Sequence, residues 1–397
     1  MKQGSSIRTC QNPMEILEKV VLMNRRAFLT AATATLGLTA LDSVNAASLI
    51  DAEQPTLKQL AVGCGIRIGV AGSKHGLSGA APEFLRFLSA NFNLFTPEGE
   101  LKWSAIRPTQ NTYDFSGADW ILEFAKQNGF AVRGHNLCWN TGNPPWVEQV
   151  VKKSNAEKIL VDHISTVARR YAGKLDSWDV VNEPIALWFN KPGGYYAGPW
   201  LDALGPEYID VAFHATAVAD PETLRVINVH HIEQASDEEA RHACLNMLEA
   251  LLKRKVPVQA LGIESHLDCN LTIDQARLDK FIATVRGMGL EILITELDIN
   301  DSTVKGDNQH RDQVVADYYR RYLDVVLPVA NLKRLLFWAP ADHSWMDYMC
   351  NTPRWQRADG NCNHRPGLID SQMQIKPSYN AVAASLANNF KSQPETR

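Results

Sequence analysis

Two short stretches carry residues able to do acid–base and nucleophilic work. In WDVVNEP, residues 178–184, an apolar run ends abruptly on Asn182, Glu183 and Pro184. In EILITELDI, residues 291–299, a second apolar run delivers Glu296 and Asp298 near its end. Two strands that each present a glutamate suggest a site with two carboxylates. One carboxylic acid would protonate a leaving oxygen, and the other, ionised, would attack carbon or activate water. Cleaving a glycosidic bond requires such a pair. The acid needs a raised pKa, which the like charge of a neighbouring carboxylate supplies. A single buried glutamate is more often half of a structural ion pair. Two at matching strand ends, each in polar company, shift the balance towards catalysis.

Such a pair works only if different strands bring both groups to one mouth. From about residue 60 the chain alternates between short apolar strands and amphipathic helical stretches. Strands are predicted near 66–71, 92–97, 131–137, 175–182, 223–229, 260–265, 291–297 and 334–339. Helical periodicity marks 156–173 and 237–255; in the latter Cys244, Leu245, Leu248, Leu251 and Leu252 recur on one face. Asn128-Gly129 and Gly287-Met288-Gly289 fall where a helix should stop before the next strand. Strand–helix units of this number imply the α/β class and a (β/α)8 TIM barrel in a single catalytic domain. A doubly wound sheet is the rival. It would want G-x-G-x-x-G after its first strand, and GCGIRIG at 63–69 does not have that spacing. In a barrel the site lies at the C-terminal strand ends. Glu183 would close the fourth strand and Glu296 the seventh, both facing one bowl.

The 397 residues, 45% of them hydrophobic, suffice for a barrel-sized core. A net charge of −4 gives no electrostatic case for nucleic acid or an anionic membrane. Ten tryptophans suit sugar rings as well as a protein core. MNRRAFL at 23–29, a short apolar run at 30–41 and VNAAS at 44–48 look like a twin-arginine export signal. Residues 1–47 are therefore assigned to an N-terminal extension and signal, with Met23 an alternative start to Met1, and 48–397 to the barrel domain. The expected location is periplasmic or secreted, with no membrane contact after cleavage, and the expected state is a monomer. Export makes a disulfide between Cys350 and Cys362 possible; Cys64, Cys138, Cys244 and Cys269 read as buried thiols.

Several motifs, in order, resemble glycoside hydrolase family 10, the barrel endo-xylanases, over roughly residues 60–385. TPEGELKW at 96–103 is similar to the family's T-P-E-N-x-M-K-W, and RGHNLCW at 133–139 to R-G-H-x-L-x-W. WDVVNEP matches the acid/base motif almost letter for letter, and ITELDI at 294–299 resembles the nucleophile motif. GIESHL at 262–267, FWAPADHSW at 337–345 and GLIDSQMQIKPSYNAV at 367–382 resemble further family segments.

The resemblance implies a retaining enzyme that cleaves β-1,4-xylosidic bonds in xylan or xylo-oligosaccharides through a covalent glycosyl-enzyme. Glu183 would be the general acid and then the base, and Glu296 the nucleophile. Asn182 would hydrogen-bond the sugar's 2-hydroxyl. His266 would hold one oxygen of Glu296, and Asp298 would orient His266. Lys102 and His135 would bind the sugar beside the scissile bond, walled by Trp139, Trp338 and Trp345, while Glu98 would reach the next sugar outward. No cofactor or metal is called for, because neither proton transfer nor carboxylate attack needs one. Trp178 reads as core, Trp146, Trp188, Trp200 and Trp355 as core or loop, and the remaining histidines as structural or surface.

Departures from the family pattern bear on substrate choice. Gly99 stands in place of asparagine, Asn140 of a histidine, Glu264 of a glutamine at a substrate-binding position, and His230 of a tyrosine, while the segment before Trp345 is one residue short. A third carboxyl at Glu264 would either be protonated or depress activity at high pH by repulsion. The alternatives are a β-1,4-glucanase of similar barrel and a non-hydrolytic sugar-binding barrel.

Overall fold

The computed structural model describes residues 55–338, 340–342 and 364–392. The export segment, Trp345, Trp355, Cys350 and Cys362 lie outside the described residues.

The strands are β1 (Arg67–Gly72), β2 (Leu94–Pro97), β3 (Ala131–Trp139), β4 (Ser177–Asn182), β5 (Leu224–Val229), β6 (Ala260–Ile263), β7 (His266–Asp268), β8 (Glu291–Asn300) and β9 (Arg334–Phe337). Neighbours pair in parallel in the order β6-β5-β4-β3-β2-β1-β9-β8, and a further β6–β8 pairing closes the ring. β7 adds only a three-residue ladder to the end of β8, so the closed barrel has eight strands. This is the (β/α)8 architecture that the strand–helix alternation implied.

Local sequence explains the punctuation. The stretches with helical periodicity form the helices Ala156–Arg170 and Glu238–Lys253, each burying one apolar face. Gly129 ends the helix Ser116–Asn128 in the left-handed region, at φ 74°, where a residue without a Cβ costs least. Between β3 and β4, Gly134 lies opposite Trp178, whose ring covers the space a side chain would need.

The strand ends that form the mouth share one backbone habit. Glu183 after β4, His231 after β5 and Ser265 after β6 all have positive φ, at 47°, 52° and 65°. Non-glycine residues take that conformation only where the surroundings impose it. Pro184 then fixes the exit from β4 in a region it adopts readily.

At the opposite end, helix Leu57–Gly63 precedes β1 directly, with Leu57 and Ala61 fully buried. Helix Pro377–Ser392 packs on it and on the helix Asn308–Ala330. Asn91 Oδ1 accepts from both Leu57 N, at 3.2 Å, and the Tyr379 hydroxyl, at 2.8 Å. The segment leading into that last helix is held by the buried Lys376. Its Nζ lies 2.7 Å from Asp342 Oδ1, 2.7 Å from the Arg365 carbonyl and 3.0 Å from Asp312 Oδ1.

Candidate active site

The barrel strands on this side of the molecule contribute polar groups towards their upper ends. Asn228 of β5 sits at the centre. Its Nδ2 lies 2.8 Å from Asn182 Oδ1, 2.9 Å from Glu296 Oε1 and 3.1 Å from Glu264 Oε1. Thr295 Oγ1 donates to the amide oxygen of Asn228 at 2.7 Å, which fixes which way the amide points. Gly262 of β6 leaves the space: a Cβ there would meet Asn228 Oδ1 at 2.3 Å. Asn182, Glu264 and Glu296 are thereby gathered around one amide, although they come from three different strand ends, and Glu183 follows Asn182 in the chain.

Glu296 is clamped from the other side. His266 Nε2 is 3.1 Å from Glu296 Oε2, and His266 Nδ1 is 2.8 Å from Asp298 Oδ1. The β7–β8 ladder, which pairs His266 with Asp298, sets this geometry. His135 Nδ1 stands 3.8 Å from Glu296 Oε1 and 3.0 Å from Asp179 Oδ2. Asp179 also takes the buried Arg133 guanidinium, whose Nε donates to Ser177 Oγ at 3.0 Å.

These neighbours drive the two catalytic carboxyls apart. Burial and then the charge of Glu296 push Glu183 up to about 7, against the opposing influence of Trp139, His266 and Lys102. Burial also pushes Glu296 upward, but the hydrogen bond from His266 and the charges of His135, His266 and Lys102 outweigh it and hold Glu296 well below the usual carboxylate range. His266 is opposed by burial yet raised to about 10 by Asp298 and Glu296, so it donates from both nitrogens. One carboxyl can therefore carry a proton while the other stays ionised, which is the division of labour that acid-assisted displacement needs.

Glu264 is raised well above the ordinary glutamate value by burial and by Glu296 and Glu183. This favours the protonated carboxyl, which resembles in charge the amide it replaces.

The other named residues surround this core. Lys102 Nζ lies 5.1 Å from the Trp139 ring centroid. Trp338, 7% exposed, sets its ring edge-on to His135 at 5.6 Å and to His266 at 6.2 Å. Glu98 follows β2, and burial, then Glu100, raise it to about 8 against the pull of Lys102. Beside it, Gly99 faces open space where the family's asparagine would reach. Asn140 is structural: its Nδ2 donates to the Tyr196 carbonyl at 3.1 Å and the Tyr208 hydroxyl at 3.2 Å, tying the loop after β4 to the end of β3. Trp345 falls outside the described residues.

Reading residue types alone missed Asn228, Asp179, Glu233 and Trp188. Asn228 was visible as a lone amide near the end of the apolar strand RVINV. Glu233 accepts from Ser265 N and Ile232 N, each at 2.8 Å, and holds the turn after β6. Trp188 is 54% exposed, with its ring 5.2 Å from that of His230. It rims an open hollow of about 250 Å³ lined also by His231, Ser236 and Asp237. Trp178 and Trp200 are fully buried.

Among the described residues, two groups bring possible metal ligands within 4.8 Å of one another: Glu183 with His230 and Glu264, and Glu264 with His266 and Glu296. Both overlap the carboxylate cluster, whose chemistry calls for no cation. Cys64, Cys138 and Cys244 are buried free thiols, whereas Cys269, expected to be buried, is a free thiol only partly covered. No helix among the described residues is long and apolar enough to cross a membrane.

The profile of glycosyl hydrolase family 10 matches residues 56–385. The chain is 28% identical to endo-1,4-β-xylanase B of Thermotoga neapolitana over 351 residues, covering 88% of this chain and 96% of that protein. With endo-1,4-β-xylanase A of Humicola insolens it shares 31% identity over 323 residues, 80% of each chain. Among solved structures, native xylanase 10B from Thermotoga maritima superposes with a TM-score of 0.75 at 27% identity, over 85% of this chain and all of that one (100%). Xylanase 10B from Thermotoga petrophila in complex with xylobiose gives 0.74 at 27% identity, over 89% and 100% of the two chains.

Proposed function

The chain belongs to glycosyl hydrolase family 10, and from that premise we propose that it is an endo-1,4-β-xylanase working by double displacement. The observation that carries this reading is the pairing of opposite protonation states in one mouth: Glu183 held up to about 7 beside a Glu296 that His266, His135 and Lys102 keep ionised.

In the first step Glu183 gives its proton to the glycosidic oxygen while Glu296 attacks the anomeric carbon. The C–O bond breaks, the leaving chain departs with the proton, and a glycosyl ester forms on Glu296. In the second step Glu183, now ionised, takes a proton from water, which displaces Glu296 and releases the sugar with its configuration retained. Asn182, next to Glu183 and held by Asn228, offers its amide N–H groups to the 2-hydroxyl, a contact that strengthens at the transition state. Lys102, His135, Trp139 and Trp338 position the sugar beside the scissile bond, and Glu98 and Glu264 contribute polar contacts around it. Names of relatives such as endo-1,4-β-xylanase B support xylan as the polymer.

The test is Glu296→Ala. Hydrolysis of xylan should fall by at least about 10⁴-fold, because the covalent route is lost, and azide should restore turnover of an aryl β-xylobioside by occupying the vacated space. Wild-type rates in that variant would refute the nucleophile assignment. A panel of xylan, xylo-oligosaccharides and mixed β-glucan, with a parallel binding assay, decides between a xylanase, a β-1,4-glucanase and a barrel that only binds sugar. Export rests on Arg25 and Arg26 ahead of a short apolar run.

A further inference from the structure

Two of the residues that depart from the family pattern meet in space. His230, after β5, stands where the family has tyrosine, and Glu264, after β6, where it has glutamine. Both replacements turn an uncharged group into a titratable one. His230 meets both the Glu264 carboxyl and the acid: its Nδ1 lies 3.4 Å from Glu183 Oε2 and 3.7 Å from Glu264 Oε2. The side chains are 10% exposed at His230 and 2% at Glu264, so water screens them little. The charged and titratable groups facing this trio are Glu296 from β8, His266 from β7, Lys102 from the loop after β2, Asp179 from β4, Tyr196 from the loop after β4, Glu233 and His231 from the loop after β5, and Asp237 at the rim of the hollow.

A carboxyl and an imidazole in contact have two arrangements of one proton, and the net charge is zero in both: acid with neutral ring, or carboxylate with imidazolium. Either alone would impose a charge on its neighbours. We propose that Glu264 and His230 act as a charge-balanced pair beside Glu183, each offsetting the other, and that this balance sets the pH at which Glu183 loses its proton. Both are positioning residues, acting on the reaction through Glu183, and the proposal rests on Glu183 being the acid. It also accounts for why Glu264 can occupy this place without a net charge against the nucleophile: Asn228 and His230 sit on either side of its carboxyl, at Oε1 and Oε2.

The signs of the single replacements follow. In Glu264→Gln the ring remains without its counter-group and favours the ionised form of Glu183. In His230→Tyr the carboxyl remains alone and favours the protonated form. The alkaline limb of kcat/KM for xylotetraose, whose sugar leaving group needs the acid, should move down by about 0.5 to 1 pH unit in the first variant and up by a similar amount in the second, the size expected for one close charge at a partly screened distance. The double variant should return to within about 0.3 unit of wild type. Carbon-13 carboxyl titration of Glu183, assigned by comparison with Glu183→Gln, should show the same three shifts with no substrate present. Movement of both single variants in one direction, no movement in either, or a double variant that stays displaced overturns the pair. A purely structural role would lower kcat without opposing shifts, and so also counts against it. Should wild type fail to cleave xylotetraose, the xylanase reading falls, and the carboxyl titration alone decides the pair.

Discussion

Glu183 and Glu296 are the same amino acid at the ends of two strands of one barrel, and their surroundings give them different jobs. Glu296 receives His266, itself held by Asp298, and the amide of Asn228. Glu183 is buried beside a carboxylate, and the contacts it receives, from Asn182 Nδ2 at 3.3 Å, His230 Nδ1 at 3.4 Å and Trp139, do not offset that burial. A pH dependence follows. The working form has Glu183 protonated and Glu296 ionised. Because Glu183 is raised to about 7, kcat/KM on unactivated xylo-oligosaccharides should be lost as pH rises through about 7. Because Glu296 is held below the usual range, the acid limb should lie far from neutrality. A profile on xylotetraose checks both limbs. An aryl xylobioside, whose leaving group departs without a proton, should show a much weaker alkaline limb. An alkaline limb of equal depth on both substrates would remove Glu183 from the acid role.

At the scale of the elements, all eight expected barrel strands appear within a few residues of the predicted bounds. The reason is physical. Parallel strands buried on both faces read as apolar runs, and the helices between them carry a distinct period. What the apolar pattern hides is the top of each strand, where polar residues interrupt it. The seventh strand was expected to stop near 297, yet β8 runs to Asn300 and gains the short β7 as a partner. That ladder brings His266 to Asp298, so the resemblance, rather than hydropathy, made the pair legible. Asn228 and Asp179 were passed over because each is a single polar residue inside an apolar strand, and only the closed barrel shows what lies across from it. One glycine in β3 gives a prediction at this scale. A Cβ at Gly134 would fall 2.1 Å from Trp178 Cε3, far inside contact distance, and Trp178 is fully buried. Gly134→Ala should therefore cost at least about 3 kcal/mol of stability, at the upper end for overpacked cores, measured by urea unfolding. A neutral result would mean that the β3–β4 layer yields more easily than its burial implies.

The whole molecule is a ring of strands whose last piece must be fastened on. Residues beyond 364 return over the end of β9 and then run down as the closing helix, and Lys376 is the fastening, buried between Asp342 and Asp312. Burial raises Asp342, and the Lys376 ammonium works against that rise. In Lys376→Met two buried carboxylates lose one of their two shared cations and keep Arg365, 2.7 Å from Asp312 and 3.4 Å from Asp342. The expected cost is about 1.5 to 3 kcal/mol, the range for losing hydrogen bonds to charged groups rather than for stranding a buried charge, read as a lowered midpoint of thermal or denaturant unfolding. A change under about 1 kcal/mol would show that water or Arg365 can take over.

The closing helix also decides where a tether can go. Leu386 accepts from the Cys64 thiol through its carbonyl, at 3.3 Å, and Phe390 lies against Gly63, so the first and last described turns are neighbours under the start of β1. Glu183 and Glu296 are a full strand length above them. A resin, a fused module or a cell-surface anchor attached at either end of the barrel would hold it by its floor, leaving the opening turned outward to a polymer too large to diffuse behind it.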